Sequence, residues 1–361
     1  MRFGFQNGAA LALFGLAGCV NTAPVDSCTA RVSDIQVIGS HNSYKLAIPA
    51  AELGLIEAQA PEWALALDYG HLPLTEQLDL GMRQLELDVY YDPQGGLYKD
   101  PLGPRLVGAA YDASGLEQPG FKTLHVQDVD ARSTCLQFTQ CLSEVQTWSA
   151  ARPDHVPMLI LINAKQARIE LPNSTIPLAF DAAAFDALDA EIRSVFGEDH
   201  LLTPDDVRGE AETLRDAVFA DGWPALSETR GQVFFALDEP PTVVDVYRRG
   251  ERSLNGHAMF INSTAPDAPD AAYFTINDPV EAGADISARV SEGFVVRTRA
   301  DANTMEARTG DRTRLDAALA SGAQYISTDY YQPRAEWSDY AAELPNGGTS
   351  RANPLSTCGI E

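Results

Sequence analysis

Eight short apolar segments recur along the chain, and helical patterns lie between many of them. Several segments are nearly continuous apolar runs, which is typical of strands buried on both faces of a parallel sheet. Strand signals that alternate with helix signals predict an α/β fold, and eight strands favour a closed (β/α)8 TIM barrel over an open doubly wound sheet. The predicted strands are Ile35–Ile38, Gln84–Tyr90, Lys122–Val126, Pro157–Asn163, Gln232–Leu237, Ala258–Asn262, Gly293–Thr298 and Ala323–Ser327. The clearest predicted helices are Thr75–Leu80, Cys141–Ala151, Phe180–Phe196, Ala211–Phe219 and Arg312–Ala320.

The spacing of these segments predicts a single barrel domain with two long βα loops. The loop over 91–121 is rich in Gly, Pro and Tyr, and the loop over 262–285 is rich in Ala, Pro and Asp. Loops of this length in a compact domain often carry function. A chain of 361 residues accommodates one barrel with insertions. We expect a monomer with a linker over 19–34, a barrel over 35–331 and a tail over 332–361 that packs on the barrel.

The first residues have the pattern of an export signal. Arg2 precedes a charge-free apolar stretch over 8–20, which is too short to span a bilayer as a permanent helix. This stretch ends in Leu16-Ala17-Gly18-Cys19, which resembles the bacterial lipoprotein signal, in which the cysteine is acylated. We therefore expect a signal peptide over 1–18, a lipid anchor on Cys19 and an exported protein of the cell envelope, at the outer membrane or the periplasmic face in a Gram-negative cell. The alternative is a plain secretory signal with an accidental cysteine.

Four further cysteines fit an oxidising compartment. Cys28, Cys135, Cys141 and Cys358 allow three disulfide pairings. The short separation of Cys135 and Cys141 favours a local bridge, and a Cys28–Cys358 bridge would then join the two ends of the domain. The alternative is a metal cluster, but the spacing does not match the common zinc patterns.

The charge balance narrows the range of partners. The chain has 51 Asp and Glu against 26 Lys and Arg, for a net charge of -25, which argues against nucleic acid and against electrostatic docking on anionic membranes. In so acidic a chain, basic residues at strand ends stand out. Lys165, Arg297 and Arg299 follow or end predicted strands, and they predict a site for an anionic ligand such as a phosphate. The alternative is an internal network of ion pairs.

Carboxylates and amides also occur at predicted strand ends, which is where a parallel barrel builds its active site. Glu86 and Asp88 lie on one face of their strand because side chains alternate along a strand. Two adjacent carboxylates repel each other unless a proton or a cation lies between them. Asn42 and Asn163 add amide oxygens at neighbouring strand ends, and these four residues predict a Ca²⁺ site, with another divalent cation as an alternative. The competing interpretation is that the carboxylates pair with arginine or cap helices.

Two histidines flank this carboxylate pair. His41 follows the first predicted strand, and His125 lies near the end of the third. Because histidine titrates near neutral pH, two imidazoles at one site can donate a proton to a leaving oxygen and accept or stabilise charge elsewhere. The pattern predicts a pair of catalytic histidines.

Three segments together resemble a known family. They are Gly39-Ser40-His41-Asn42-Ser43-Tyr44, Leu85-Glu86-Leu87-Asp88 and Leu124-His125-Val126. They resemble the catalytic half of the calcium-dependent phosphoinositide-specific phospholipases C, especially the compact bacterial and fungal members. The resemblance is specific over about residues 35–165.

The resemblance implies a reaction and a role for each residue. His41 would stabilise the pentacoordinate phosphorane, His125 would protonate the leaving glycerol oxygen, and Asn42, Glu86 and Asp88 would hold Ca²⁺. Glu86 would also take the proton of the attacking inositol hydroxyl. Phosphatidylinositol, or a related glycerophospholipid, would then yield diacylglycerol and a cyclic inositol phosphate that water can open.

One residue departs from the family pattern. Asn163 stands where the family usually has a carboxylate ligand at the end of the fourth strand. Because calcium affinity depends on ligand charge, we expect a weaker calcium site, or a further donor such as Asp238.

Two other functions remain open at the level of sequence. A glycerophosphodiester phosphodiesterase or phospholipase D on a related barrel also uses histidine pairs and a metal, and Tyr325-Ile326-Ser327-Thr328-Asp329 resembles the last strand of that group equally well. That group usually has His-Arg rather than His-Asn after the first strand. A non-catalytic surface barrel that binds a lipid or a sugar is the third candidate, but inactive relatives tend to lose such histidines and carboxylates.

Overall fold

The protein is represented by a computed structural model that describes residues 28–360 together with residues 1 and 4. The predicted signal peptide apart from residues 1 and 4, and the first part of the predicted linker, including Cys19, lie outside the described residues. Within residues 28–360, no helix has both the length and the apolar character that a membrane crossing requires.

Ten strands form two five-stranded sheets, each with four parallel strands and one antiparallel strand at an edge. The first sheet has the order β3-β2-β4-β5-β6, and the second has the order β10-β1-β9-β8-β7. All residues of β1, β2 and β5 are buried. The sequence of β5 is entirely apolar, whereas β2 alternates apolar residues with Gln84, Glu86 and Asp88. The strands are β1 (Ile35–Ser40), β2 (Gln84–Tyr90), β3 (Lys122–Thr123), β4 (Met158–Ala164), β5 (Val233–Leu237), β6 (Met259–Ile261), β7 (Tyr273–Thr275), β8 (Val295–Arg299), β9 (Tyr325–Thr328) and β10 (Arg351–Ala352).

Backbone hydrogen bonds also join the two sheets to each other. Between β1 and β2, the Arg83 N–H donates to the Ile38 carbonyl at 2.9 Å. Between β6 and β7, the Ser263 N–H donates to the Tyr273 carbonyl at 3.0 Å. The fold is therefore α/β, with two mainly parallel sheets that are hydrogen-bonded to each other next to β1 and β2 and next to β6 and β7.

One predicted strand and one predicted loop were wrong. The segment predicted as the third parallel strand, Lys122–Val126, contributes only Lys122–Thr123, which pairs antiparallel with the end of β2. The preceding connection returns the chain alongside β2, and an antiparallel neighbour needs no crossover helix. The predicted loop over 262–285 contains β7, whose three residues are too few to show a periodic pattern.

Each of the five predicted helices overlaps a helix of the structure, and further helices lie in the connections. The helix α11 begins inside the predicted loop over 262–285, where Asp278 accepts hydrogen bonds from two backbone N–H groups and Pro279 occupies the first turn. The helices are α1 (Ala50–Glu57), α2 (Pro61–Leu67), α3 (Leu74–Asp79), α4 (Leu102–Val107), α5 (Phe138–Ala150), α6 (Ala182–Val195), α7 (Pro204–Arg208), α8 (Leu214–Ala220), α9 (Leu226–Thr229), α10 (Pro241–Arg248), α11 (Pro279–Ser291), α12 (Met305–Thr309) and α13 (Thr313–Ser321).

The C-terminal segment returns to the start of the first strand. Its strand β10 pairs antiparallel with Ile35 and Gln36, and the Asn353 N–H donates to the Asp34 carbonyl. Disulfides join Cys28 to Cys358 and Cys135 to Cys141, which are the two pairings favoured by the sequence. The first bridge ties segments separated by 330 residues.

Candidate active site

The predicted site residues lie together because parallel strands end on the same side of a sheet. Glu86 and Asp88 belong to β2, and Asn163 faces Asp88 in the register of β4. His41 directly follows β1, and its N–H donates to the carbonyl of Thr328 in β9. A Cβ atom on Gly39 would collide with Gln84, so only glycine allows β1 to approach β2 this closely.

His41 is held by a buried carboxylate. Its Nδ1 lies 2.8 Å from Oδ1 of Asp329, and Arg299 Nη2 donates to the other oxygen of Asp329 at 3.1 Å. Burial acts against the charge of Asp329, but His41 and Arg299 hold its pKa well below the ordinary value. An ionised Asp329 can only accept, so the proton of a neutral His41 lies on Nδ1 and the lone pair lies on Nε2.

The second imidazole has a similar arrangement. Nδ1 of His125 lies 2.7 Å from Oδ2 of Asp130, and Nζ of the buried Lys45 lies 3.4 Å from the same oxygen. Lys45 also donates to the backbone carbonyls of Leu67 and Tyr69. His125 therefore also presents Nε2 away from its carboxylate partner, and its side chain is 15% exposed.

The ring of Tyr69 lies next to both imidazoles. Its ring centroid lies 6.1 Å from that of His41 and 6.5 Å from that of His125. The Tyr69 hydroxyl also accepts a hydrogen bond from the Asn42 amide at 2.7 Å. Both histidines therefore border one aromatic ring, beside one of the predicted calcium ligands.

Glu86 is the most heavily paired carboxylate of the site. Arg297 Nη2 donates to Oε2 at 2.6 Å, and the Asn163 amide donates to Oε1 at 3.0 Å. Nε2 of His41 lies 3.7 Å from the same Oε1. Burial tends to raise the pKa of Glu86, but His41 and Arg297, followed by Arg299 and Lys165, lower it overall.

Asp88 has a different kind of partner. Lys165 Nζ lies 3.0 Å from Oδ2 of Asp88, yet this oxygen is buried and has no aligned hydrogen-bond donor among the described residues. Burial opposes the charge of Lys165, but Asp88 and then Glu86 raise its pKa overall. Lys165, Arg297 and Arg299 are thus all ion-paired inside the site, as the network alternative anticipated.

The sequence did not assign a role to four residues that support the histidines. Asp329 and Asp130 hold the imidazoles, while Lys45 and Tyr69 complete the surroundings. Asp329 follows β9, the last of the parallel strands, so its position was a usable signal. Asp130, Lys45 and Tyr69 lie in connections whose path the periodicity does not define.

The predicted metal ligands fit calcium in their chemistry. Glu86 and Asp88 supply carboxylate oxygens, and Asn42 and Asn163 supply amide oxygens, which are the donors that Ca²⁺ takes. The buried Asp88 Oδ2 has no aligned hydrogen-bond donor among the described residues, and its partner is the ammonium of Lys165 at 3.0 Å, so it is an oxygen that a calcium ion could take over. Among the described residues no cluster of three or more His, Cys, Asp or Glu could hold a metal, so only a mixed set of carboxylates and amides is available here.

The geometry brings together groups that are able to carry out acid–base chemistry on an anionic substrate. Two imidazoles held by carboxylates lie beside basic side chains at the strand ends of a parallel α/β fold. Such a constellation suits the cleavage of a phosphodiester, in which one proton is removed and another is delivered.

Comparison with known proteins identifies the family. The family model for Ca²⁺-dependent phosphoinositide phospholipase C matches residues 30–354. A similar solved structure is the calcium-dependent phosphoinositol-specific phospholipase C of the Gram-negative bacterium Pseudomonas sp., at 14% identity and a TM-score of 0.57, over 90% of this chain and 96% of that one. Another is the Ca²⁺-dependent phosphatidylinositol-specific phospholipase C of Streptomyces antibioticus, at 17% identity and a TM-score of 0.54, over 84% of this chain and 95% of that one. No curated protein matches the chain.

The chain belongs to the Ca²⁺-dependent phosphoinositide phospholipase C family. It is an enzyme, a phosphoric diester hydrolase of a family described as calcium-dependent, and its function is phosphoinositide cleavage. The structural likeness, at less than a fifth identity, shows a shared fold. The family match favours phospholipase C over the two other candidates, a glycerophosphodiester phosphodiesterase and a non-catalytic barrel.

Proposed function

We propose that His41 and His125 form the proton-transfer pair that cleaves phosphatidylinositol, or a related glycerophospholipid, to diacylglycerol and a cyclic inositol phosphate. One observation carries this proposal. Each imidazole is held at Nδ1 by a buried carboxylate, and both border Tyr69. The two Nε2 atoms are then the positions from which protons can be exchanged with one substrate.

His41 is the better base for the attacking hydroxyl. Burial and the neighbouring Arg299 lower its pKa, so it is neutral at pH 7 with its lone pair on Nε2. Glu86, in contrast, has a lowered pKa and both oxygens engaged, and a carboxylate of low pKa is a weak base. We therefore assign the proton of the inositol hydroxyl to His41 rather than to Glu86.

His125 acts as the acid on the opposite side of phosphorus. As the hydroxyl oxygen bonds to phosphorus, the bond from phosphorus to the glycerol oxygen breaks, and Nε2–H of an imidazolium at His125 protonates that oxygen. Asp130 stabilises this imidazolium through Nδ1 at 2.7 Å. Opening of the cyclic product by water uses the same two groups with their roles exchanged.

Basic side chains and oxygen donors complete the site. Arg299, which contacts both His41 and Asp329, is placed to bind the phosphate, with Lys165 and Arg297 nearby. Asn42, Glu86, Asp88 and Asn163 would hold calcium, which would lower the pKa of the attacking hydroxyl and offset phosphate charge.

An apolar groove beside His125 supports a lipid substrate. The groove encloses about 640 Å³ between α1, α2 and α4, and Val126 and Val129 form part of its wall. Trp63 and Leu106 line it with 59% and 64% of their surface exposed. A groove of this character next to the proton donor suits the acyl chains of the diacylglycerol product.

We also propose that the barrel is closed, that the protein is exported and that a lipid anchors it. The eight parallel strands and the hydrogen bonds between the two sheets support a (β/α)8 TIM barrel with its mouth at this site. The sequence pattern before Cys19 supports export and a lipid anchor, and the two disulfides agree with an oxidising compartment. We also propose that the protein is a monomer, a single barrel domain over 35–331 with its tail packed on it.

Headgroup release from vesicles tests the activity. The enzyme should release inositol phosphates from phosphatidylinositol in calcium, lose this activity in chelator and leave glycerophosphocholine intact. His41→Ala and His125→Ala should each abolish turnover without changing the circular dichroism spectrum. Release of choline from glycerophosphocholine, or unchanged rates in both variants, would contradict the proposal.

A further inference from the structure

The two carboxylates of the proposed calcium site are both neutralised by side chains of the protein itself. Arg297 lies 2.6 Å from Glu86, and Lys165 lies 3.0 Å from Asp88. The side chains of Glu86 and Asp88 are 6% and 2% exposed, so water screens these pairs poorly. Asn42 and Asn163 are neutral, and the four proposed ligands with their two cations therefore carry no net charge.

We infer that Lys165 and Arg297 hold the calcium-ligand carboxylates in the absence of metal, and that calcium enters by displacing the Lys165 ammonium from Asp88. This inference rests on the proposed assignment of Asp88 as a calcium ligand. It makes Lys165 a positioning residue that sets the calcium affinity of this enzyme.

The two cations differ in how easily they can leave. Arg297 is 2% exposed, and its other nitrogen Nη1 donates to Asn277, so both ends of its guanidinium are fixed. Lys165 is 32% exposed, and its contact with Asp88 lacks the alignment of a hydrogen bond. Lysine is a point charge on a flexible stem, whereas arginine forms a planar fork. Lys165 is therefore the cation that yields.

A second carboxyl group lies next to the position of Lys165. Glu239 follows β5, and its Oε1 accepts a hydrogen bond from the backbone N–H of Ala164, the residue before Lys165, at 2.7 Å. Burial raises the pKa of Glu239 to about 7, so this carboxyl group is partly ionised near neutral pH. The ammonium can thus leave Asp88 and remain near a carboxyl group that already acts to raise the pKa of Lys165. Displacement does not require an unpaired charge to stay inside the protein.

Calcium titration of matched variants tests the inference. Lys165→Met removes the competing charge and should bind Ca²⁺ about tenfold more tightly than the wild type, as measured by calorimetry, because two like charges no longer share one carboxylate. Lys165→Arg keeps the charge and adds the planar fork that holds a carboxylate more firmly, so it should bind Ca²⁺ no more tightly than the wild type. Lys99→Met is the control, because Lys99 pairs with Glu117 on the surface and is 52% exposed. Wild-type or weaker calcium affinity in Lys165→Met would overturn the inference.

A measurement on the unmodified protein covers the case in which a variant fails to fold. Acylation of lysines, followed by mass spectrometry, should show that calcium increases the labelling of Lys165 and leaves that of Lys99 unchanged. Labelling of Lys165 that calcium reduces or does not alter would refute displacement.

Asp88→Asn separates this failure from that of the proposed site. If Asp88→Asn weakens calcium binding while Lys165→Met behaves as wild type, only the displacement is wrong. If Asp88→Asn binds calcium as the wild type does, the ligand assignment is wrong and the inference fails with it.

Discussion

Asp329→Asn tests whether Asp329 fixes the tautomer of His41 and stabilises its protonated form. In the wild type, Asp329 accepts from Nδ1 of His41 at 2.8 Å, so it fixes the tautomer and stabilises the imidazolium that forms when Nε2 takes a proton. An asparagine amide removes the negative charge and can present an N–H group to Nδ1, which favours the wrong tautomer. The substitution preserves size and should leave the fold intact.

The magnitude follows from the distance between the charges. An opposite unit charge about 4 Å from the imidazolium is worth roughly 4 kcal/mol at an effective dielectric constant of about 20. Since about 1.4 kcal/mol corresponds to a factor of ten, kcat should fall by about 10³-fold. KM should change little, because the lost interaction acts mainly on the protonated imidazole of the transition state.

Initial rates on phosphatidylinositol at saturating calcium give this number directly. Asp270→Asn is a matched control, because Asp270 is a buried aspartate paired with Arg248 at 2.8 Å, just before β7 and at the opposite end of the strands. It should lower the melting temperature and keep kcat. If Asp329→Asn kept more than a tenth of the wild-type kcat, the role assigned to the pair would be refuted.

Three further predictions concern pH, covalent stability and lipid binding. Burial and Arg299 lower the pKa of His41, so protonation of this base and the acidic limb of kcat/KM should occur at lower pH than for an ordinary histidine. Asp329 acts to raise the same pKa, so the pH profile of Asp329→Asn should show the limb at still lower pH, and an unshifted limb would contradict the assignment. Cys358→Ser opens a bridge between segments 330 residues apart and should reduce the free energy of unfolding by about 2–5 kcal/mol in denaturant titrations, more than Cys141→Ser does, because the closed loop is longer. The double change Trp63→Ala and Leu106→Ser should raise KM for phosphatidylinositol about 30-fold and leave that for glycerophosphoinositol unchanged, because two lost apolar contacts of about 1 kcal/mol each sum to about 2 kcal/mol. Phe219→Ala, at an exposed aromatic residue outside the groove, is the control, and equal effects on both substrates would argue against acyl binding.

The sequence predicted those parts of the fold that depend on local periodicity. The alternating segment Gln84–Tyr90 and the apolar run Val233–Leu237 are long enough to stand out, and the structure has strands at both. The three residues of β7 carry too few side chains for any period to appear. The orientation of Lys122–Thr123 depends on how a long connection folds back, which is a tertiary property.

The site was predictable where chemistry is concentrated at strand ends. His41, Glu86 and Asp88 were predicted from their places in or after two strands, and the structure puts His41 in contact with both Glu86 and Arg299. Asp130 and Lys45 hold His125 through contacts between loops, and neither residue has a local pattern that separates it from an ordinary surface charge. The pairing of Lys165 with Asp88 likewise depends on side-chain packing.

The division of labour between the two histidines is the central claim, and the choice of leaving group tests it most directly. In a soluble inositol phosphodiester with a nitrophenol leaving group, the nitrophenolate leaves without being protonated. The glycerol oxygen of phosphatidylinositol, in contrast, needs a proton in order to leave. His125→Ala should therefore lose about 10³-fold in kcat on phosphatidylinositol and less than tenfold on the nitrophenyl ester, while His41→Ala should lose about 10³-fold on both, as general acid–base catalysis implies. Equal losses for His125→Ala on the two substrates would contradict its role as the proton donor.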